Sequence, residues 1–264
     1  MISVQDVEVV FNPGTPLENR ALRGVTLDIP AGQWVTVIGS NGAGKSTLLN
    51  ALSGAAPLHG GRVLIDHQEV TRWPIHKRAA LAARVFQDPL AGTCEGLTVE
   101  ENMALALRRG GLRGLRRALV GGERETLRAG LARLSLGLED RLDDRMGLLS
   151  GGQRQAVSLL MATLAPMRIL LLDEHTAALD PRTADLILRL TRDLVRERSL
   201  TTLMVTHSMR QALDLGDRTV MLHEGKVALD IQGAAREGMT VQGLLAEFSR
   251  QRGEELDDDK LLLG

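Results

Sequence analysis

The hydrophobic runs predict an α/β fold: a doubly wound parallel sheet with an N-terminal antiparallel β subdomain and an inserted helical subdomain. Three observations carry this expectation. Residues Trp34–Ile38, 169–172 and 202–205 are almost continuously apolar, as strands buried on both faces are, though a four-residue run alone leaves strand and buried helix open. Helical patterns lie between them, for example Lys45–Ser53 and 182–198, and strand alternating with helix builds a parallel sheet. The opening segments Ile2–Phe11, 21–29 and 62–66 are short, β-branched and alternate with polar residues, which suits a half-exposed antiparallel sheet.

From about 88 to 163 no strand is convincing. Glycines break this stretch into helices at 99–109 and 123–136, with another beginning near Ser150. Residues 218–222 and 226–229 flank His223-Glu224-Gly225, a hairpin signal. The expected organisation is one domain over 1–249, with its core in 1–87 and 164–249 and a helical subdomain at 88–163. An acidic tail, 250–264, is expected to fray.

The bulk properties exclude several classes. The 32 Lys and Arg against 33 Asp and Glu give a net charge of -1, which argues against a general polyanion-binding surface. A single cysteine, Cys94, cannot form an internal disulfide and reads as a reduced cytosolic thiol. The start, MISVQDVEVV, carries no basic segment followed by an apolar one, so no secretory signal is expected. The longest weakly polar stretch, 156–167, falls short of the roughly 20 residues that cross a bilayer.

Gly39-Ser40-Asn41-Gly42-Ala43-Gly44-Lys45-Ser46 fits the phosphate-binding loop pattern G-x-x-x-x-G-K-[ST], after an apolar strand and before a helical run. The glycines let successive N–H groups turn inward as an anion nest. The helix N-terminus adds partial positive charge, and Lys45 a full one for the β- and γ-phosphates. Ser46 offers a hydroxyl to Mg²⁺, and Thr47 is placed near the α-phosphate. The plain alternative is a glycine-rich turn with a solvated lysine. Downstream, Asp173-Glu174 ends a buried strand, where open α/β sheets bind ligands. Asp173 would hold Mg²⁺ through a water, and Glu174 would orient or deprotonate an attacking water. Taken alone, the pair reads equally as a strand end followed by a helix-capping acid.

Leu149-Ser150-Gly151-Gly152-Gln153 opens a helical run between those two motifs, and a serine hydroxyl, glycine amides and a helix N-terminus make a second anion site. With these motifs in this order, the sequence resembles the ATP-binding cassette family over about residues 1–230. The resemblance implies a P-loop NTPase (RecA-like) core, ATP and Mg²⁺ as cofactors, and a dimer in which Ser150, Gly151, Gly152 and Gln153 close over ATP held by the partner's loop. It implies that Gln87, after Phe86, reaches Mg²⁺ and the attacking water. Asp180, in Ala178-Leu179-Asp180, would cross the dimer interface, and His207 would contact the γ-phosphate. Phe11, 28 residues before Gly39, is near the family position for an aromatic stacked on adenine; the alternative is a core aromatic at a strand end. The chain departs from the family in carrying His175 where proline is usual after Asp-Glu. Ala156 and Met161 stand where many relatives have arginine.

A lone cassette implies separate integral membrane permease subunits and a peripheral place on the cytoplasmic face of the inner membrane. It also implies a second ATPase subunit, expected to be identical. Segment 88–96 with Leu97-Thr98-Val99-Glu100-Glu101-Asn102 lies where the family contacts permeases. Together with Asp173-Glu174-His175-Thr176-Ala177-Ala178-Leu179-Asp180, it resembles a bacterial importer branch, some of whose members accompany a periplasmic or lipid-anchored substrate-binding protein for aromatic amino acids. An exporter subunit and a soluble non-transport ATPase are the alternatives. The run 108–117 holds five arginines and no acid, which reads as a solvated face or as contact with anionic lipid headgroups. Nucleic acid is not an expected partner, because neither a long coiled-coil insertion nor a second cassette is visible.

Overall fold

The computed structural model of the chain describes residues 1–111 and 119–252, which gather into two compact units. The first joins Met1–Ile75 to residues 199–252, and the second comprises the described residues between His76 and Arg198.

In the first unit, β1 (Ile2–Phe11), β2 (Asn19–Ile29), β4 (Gly60–Ile65) and β5 (Gln68–Glu69) form an antiparallel sheet in the order β2-β1-β4-β5. Alternation sets its register: Val7 pairs with Val25 and Val9 with Leu22, all buried, while Asp6 and Glu8 face outward. A one-residue slip would expose that apolar set. The remaining strands are β3 (Trp34–Ile38), β8 (Thr201–Val205), β9 (Arg218–His223) and β10 (Lys226–Gln232). Every residue of β3 and β8 is buried. β3 runs parallel to both β8 and β9, and β10 returns antiparallel to β9. The β9–β10 turn is the expected hairpin, with Glu224 at φ 46° and Gly225 at φ 77°. Two left-handed residues match the twist of a two-residue connection. The helices here are α1 (Lys45–Ser53), α7 (Met209–Leu215) and α8 (Val241–Arg252). Leu244 and Phe248 of α8 pack with Ile38, Met209 and Met221, so the last helix braces the end of β3.

The second unit holds the parallel pair β6 (Ala82–Val85) and β7 (Ile169–Asp173) with α3 (Val99–Leu107), α4 (Glu123–Ala132), α5 (Gly151–Leu164) and α6 (Pro181–Glu197). A short α2 (Ile75–Arg78) spans the boundary between the units. Met103, Leu127, Leu131, Val157, Leu160 and Ile187 bring one apolar stripe from each of the four helices into a common core. Among the described residues no strand falls between 88 and 163. β6, α7 and α8 were not among the expected elements. α8 also takes in residues 250–252 of the expected tail, and 253–264 lie outside the described residues.

Candidate functional site

The loop after β3 is fixed by steric exclusion. Gly39 has φ 150°, and a Cβ there would stand 2.2 Å from the Leu222 carbonyl oxygen of β9. Gly44 has φ 102°, and a Cβ there would meet the Ala21 oxygen at 2.6 Å and Leu22 Cδ2 at 2.9 Å. Only glycine fits both places, so the loop is wedged between β9 and β2. The hairpin supports it further, because Gly225 N–H donates to the Ala43 oxygen at 3.1 Å. Lys45 is only 5% exposed, and its Nζ donates to the carbonyls of Gly39 (2.8 Å) and Ser40 (3.1 Å). The ammonium is thus folded back over its own loop. Asn41, Gly42 and Ser46 are exposed, while Ser40 and Thr47 are half-buried. α1 begins at Gly44, which has no side chain to cap it, and its first turn holds no acid. A helix start of this kind concentrates positive potential on the loop and suits an anion.

His207 reaches the same edge by strand pairing. Val205 is in register with Val37, and Thr206 N–H donates to the Val37 oxygen at 3.1 Å, so the exposed His207 follows β8 where Gly39 follows β3. Ser208 then caps α7, accepting from Gln211 N–H at 3.2 Å. Phe11 ends β1 with 39% of its surface exposed, so a buried-core role does not describe it.

In the second unit, parallel pairing aligns the two other groups. Val85 is in register with Leu172, and two residues further on each strand come Gln87 and Glu174. Asp173 is 8% exposed, and its Oδ2 accepts from Arg84 Nη2 at 2.5 Å. The Arg84 guanidinium also lies over the Phe86 ring, 4.7 Å from its centroid. Glu174 has φ 46°, a left-handed turn that ends the strand. His175 is fully buried; its Nε2 lies 3.0 Å from Thr191 Oγ1, whose own hydrogen goes to the Ile187 oxygen at 2.8 Å. Thr191 must therefore accept, which places a proton on His175 Nε2. Burial pushes its pKa down to about 4. His175 thus pins the turn to α6 through Thr191.

Ser150 is the N-cap of α5. Its Oγ accepts from Gln153 N–H at 3.2 Å, and Gln153 Oε1 accepts from Ser150 N–H at 3.1 Å, closing a capping box. Gln153 is thereby turned back on its own helix start. A capping hydroxyl accepts through a lone pair and keeps its proton as a donor. Gly152 is close-packed, since a Cβ there would meet Thr183 Cγ2 at 2.2 Å. Asp180 likewise caps α6, accepting from Thr183 N–H at 3.2 Å, with Pro181 at the first helical position. Hydrogen bonding from the Thr183 side chain, and then from its backbone N–H, holds the Asp180 carboxyl below the usual range.

Among the described residues, no group of three or more His, Cys, Asp or Glu side chains could by itself hold a metal. The expected magnesium set, Ser46, Gln87 and Asp173, offers only hard oxygen donors and a single carboxylate. Such a set fits an ion that keeps waters and binds mainly through phosphates.

One residue of the arginine run, Arg109, departs from both expected readings. Arg108 forms two bonds to Glu123 at 2.9 and 2.7 Å. Arg109 donates to the Ala162 and Ala165 oxygens at 3.0 and 3.4 Å, capping the carbonyl end of α5. Neither reading of the run, solvated face or lipid contact, describes Arg109. Arg113, Arg116 and Arg117 lie outside the described residues. Sequence reasoning also passed over Arg84; its signal was a lone cation among apolar residues just before Phe86-Gln87.

A family model described as ABC transporter matches residues 22–177. The Tyrosine transport ATP-binding protein of Clostridioides difficile (strain R20291) is 44% identical over 250 residues, covering 94% of this chain and 98% of the relative. The Energy-coupling factor transporter ATP-binding protein EcfA2 of Clostridium tetani (strain Massachusetts / E88) is 32% identical over 87% of this chain and 78% of its own. A solved dimeric structure of the ATP-binding cassette MJ0796, in a post-hydrolysis state bound to ADP and Pi, superposes with a TM-score of 0.75 at 29% identity. That match covers 88% of this chain and 98% of the solved one. Two wedged glycines, a lysine folded over the loop and a strand end bearing Asp-Glu thus stand in a chain that matches such cassettes along most of its length. The chain belongs to the ABC transporter family and is an ATP-binding cassette ATPase with the P-loop NTPase fold.

Proposed function

We propose that this chain is the ATPase subunit of a bacterial importer, dimerising around two ATP to drive separate permease chains that take up a small solute such as an amino acid. The observation that carries the reading is the 44% identity along 98% of a relative named for tyrosine transport. Among the described residues no helix is long and apolar enough to cross a membrane. The subunit would sit at the cytoplasmic face of the membrane. Segment 88–96 would meet the permease there, and Leu90 within it is 39% exposed. A substrate-binding protein outside the membrane would complete the system. Within the chain, 88–163 is retained as the helical subdomain that carries this contact.

In this reading Phe11 stacks on adenine, and the amides of Gly39–Ser46 with Lys45 take the β- and γ-phosphates; Thr47 lies by the α-phosphate. Ser46, Asp173 and Gln87 would hold Mg²⁺, which when bound neutralises charge on the phosphates. Glu174 accepts the proton of the attacking water, and His207 holds the γ-phosphate. Ser150, Gly151, Gly152 and Gln153 would complete the site of the partner copy, with Asp180 crossing the interface. The left-handed turn at Glu174, pinned by His175, supports a fixed carboxylate. Loss of the γ-phosphate removes the bridge between copies, and the dimer opens.

Two measurements test the proposal. Glu174→Gln should retain ATP and move the isolated chain from monomer to dimer, because ATP that bridges two copies stabilises them by mass action. A monomer at saturating ATP and high protein concentration would refute dimerisation of the isolated chain. Co-purification from membranes should return a polytopic permease, and vesicles holding that complex should accumulate tyrosine with ATP. ATP-driven efflux, or no membrane companion, would overturn the importer.

A further inference from the structure

We infer that Arg84 is a resident counter-ion that competes with the divalent cation for Asp173, and so sets how much Mg²⁺ the chain needs before nucleotide binds. The inference rests on the reading of Asp173 as a magnesium-binding carboxylate.

Three observations carry it. The Arg84 guanidinium occupies Asp173 Oδ2 at 2.5 Å, with side chains only 13% and 11% exposed, so solvent screens the pair weakly. Arginine does not lose its proton, so the competition cannot be relieved by titration of Arg84. The guanidinium also lies over the Phe86 ring, 4.7 Å from its centroid, a cation–π contact that helps to hold it. The backbone that carries the ring is tied to α5, because the Phe86 carbonyl accepts from the buried Gln155 Nε2 at 3.1 Å. Strand register explains the meeting: Arg84 is paired with Leu171, two residues before Asp173 on the adjacent parallel strand.

The consequence is electrostatic. A cation approaching Asp173, directly or through a water, meets a carboxylate already partly neutralised and a fixed positive charge beside it. Mg²⁺ must then share or displace the guanidinium. Because Arg84 also stacks on Phe86, the residue before Gln87, that displacement changes the contacts at the start of the Gln87 segment. Arg84 is a positioning residue in this scheme and is not required to touch nucleotide.

The test is a Mg²⁺ titration of fluorescent ATP binding by the full chain, at fixed nucleotide and without turnover. Arg84→Met removes the competing charge and should lower the half-saturating Mg²⁺ about tenfold, the scale of a hydrogen bond to a charged group. Arg84→Lys keeps the charge and should stay close to the parent protein. An unchanged half-saturation in Arg84→Met, with Asp173→Asn strongly shifted, overturns the counter-ion and leaves Asp173 as the ligand. If Asp173→Asn itself leaves the Mg²⁺ dependence unchanged, the underlying reading of Asp173 fails instead. Should Arg84→Met not fold, Phe86→Leu decides. Loosening the guanidinium should lower the half-saturating Mg²⁺ about two- to threefold, and an unchanged value in that folded variant overturns the inference.

Discussion

α1 and α5 both begin at a glycine-rich motif, yet their first turns are built in opposite ways. α1 starts at Gly44, which cannot cap it, behind a loop locked by Gly39 and Gly44 against neighbouring carbonyls. α5 starts at Ser150 with a closed capping box, so two of its end donors are already satisfied within the chain. The loop at α1 is therefore shaped by backbone exclusion, and its helix start gains most from an anionic ligand. The start of α5 is stable by itself and has less to gain. The same division extends outward. In the first unit, Lys45 opens α1, Phe11 ends β1 and His207 follows β8, and none of the three caps a helix, whereas around α5 and α6 the candidate residues Ser150, Gln153 and Asp180 are also part of helix caps. Substitutions near α1 should change ligand handling with little effect on folding. Those near β7, α5 and α6 should change both.

The largest expected effect tests the first half of that contrast. Lys45→Ala removes the cation held over the loop by the Gly39 and Ser40 carbonyls. Turnover should fall by about 10²–10³, the scale for losing a preorganised electrostatic contact, while the melting temperature without nucleotide changes little. Comparable losses of stability and turnover in Lys45→Ala would break the contrast.

His175 tests the second half through pH. Its folded-state pKa of about 4 lies below the ordinary value of 6.5, so between them the unfolded chain binds the extra proton. The stability tied to a neutral His175 is complete above pH 6.5 and is lost as pH falls toward 4. The full shift corresponds to about 3 kcal/mol. Urea unfolding in EDTA from pH 7.5 to 4 should show this slope in the parent chain and a shallower one in His175→Gln. Equal slopes would mean that His175 is not held neutral.

Phe11→Ala should weaken ATP binding by about 1–2 kcal/mol, the scale of stacking on a base. Because the ring is 39% exposed, unfolding by urea should be nearly unchanged. Lost stability with unaltered affinity would return Phe11 to a structural role and remove one ligand contact from the α1 side.

These contrasts were unevenly legible in the sequence. β1, β3 and α1 have their expected bounds, because alternation, continuous apolarity and a glycine-rich loop before a helix are local signals. Gly39 and Gly44 were readable as a motif, but the Leu222 and Ala21 carbonyls that exclude a Cβ come from distant segments. β6 escaped because Ala82-Ala83-Arg84-Val85 is short and weakly apolar, and becomes a strand by pairing with β7, far along the chain. With β6 unseen, Arg84 had no place from which to reach Asp173. The Ser150–Gln153 box was readable as S-x-x-Q, yet the family motif drew attention to the ligand rather than the cap. Arg109 was grouped by composition with its neighbours, and only the fold brings it to the carbonyl end of α5.

The smallest effect separates the two uses of one hydroxyl. Ser150 accepts from Gln153 N–H, so Ser150→Ala should cost about 1 kcal/mol of folding stability, the usual loss for an N-cap. If the hydroxyl also donates to ATP on a partner copy, turnover should fall further than that loss of stability explains. Ser150→Thr distinguishes the uses, since threonine caps almost as well and restores stability, but places a methyl group on the exposed side of the helix start. Capping alone predicts that Ser150→Thr recovers both stability and ATPase activity. A ligand role across the interface predicts recovered stability with activity still depressed, and, in a Glu174→Gln background, a weaker ATP-induced dimer. Should Ser150→Ala leave turnover and the dimer intact while lowering stability, the hydroxyl serves only as the cap. The contrast between α1 and α5 would then become one between a helix start that binds a ligand and one that does not.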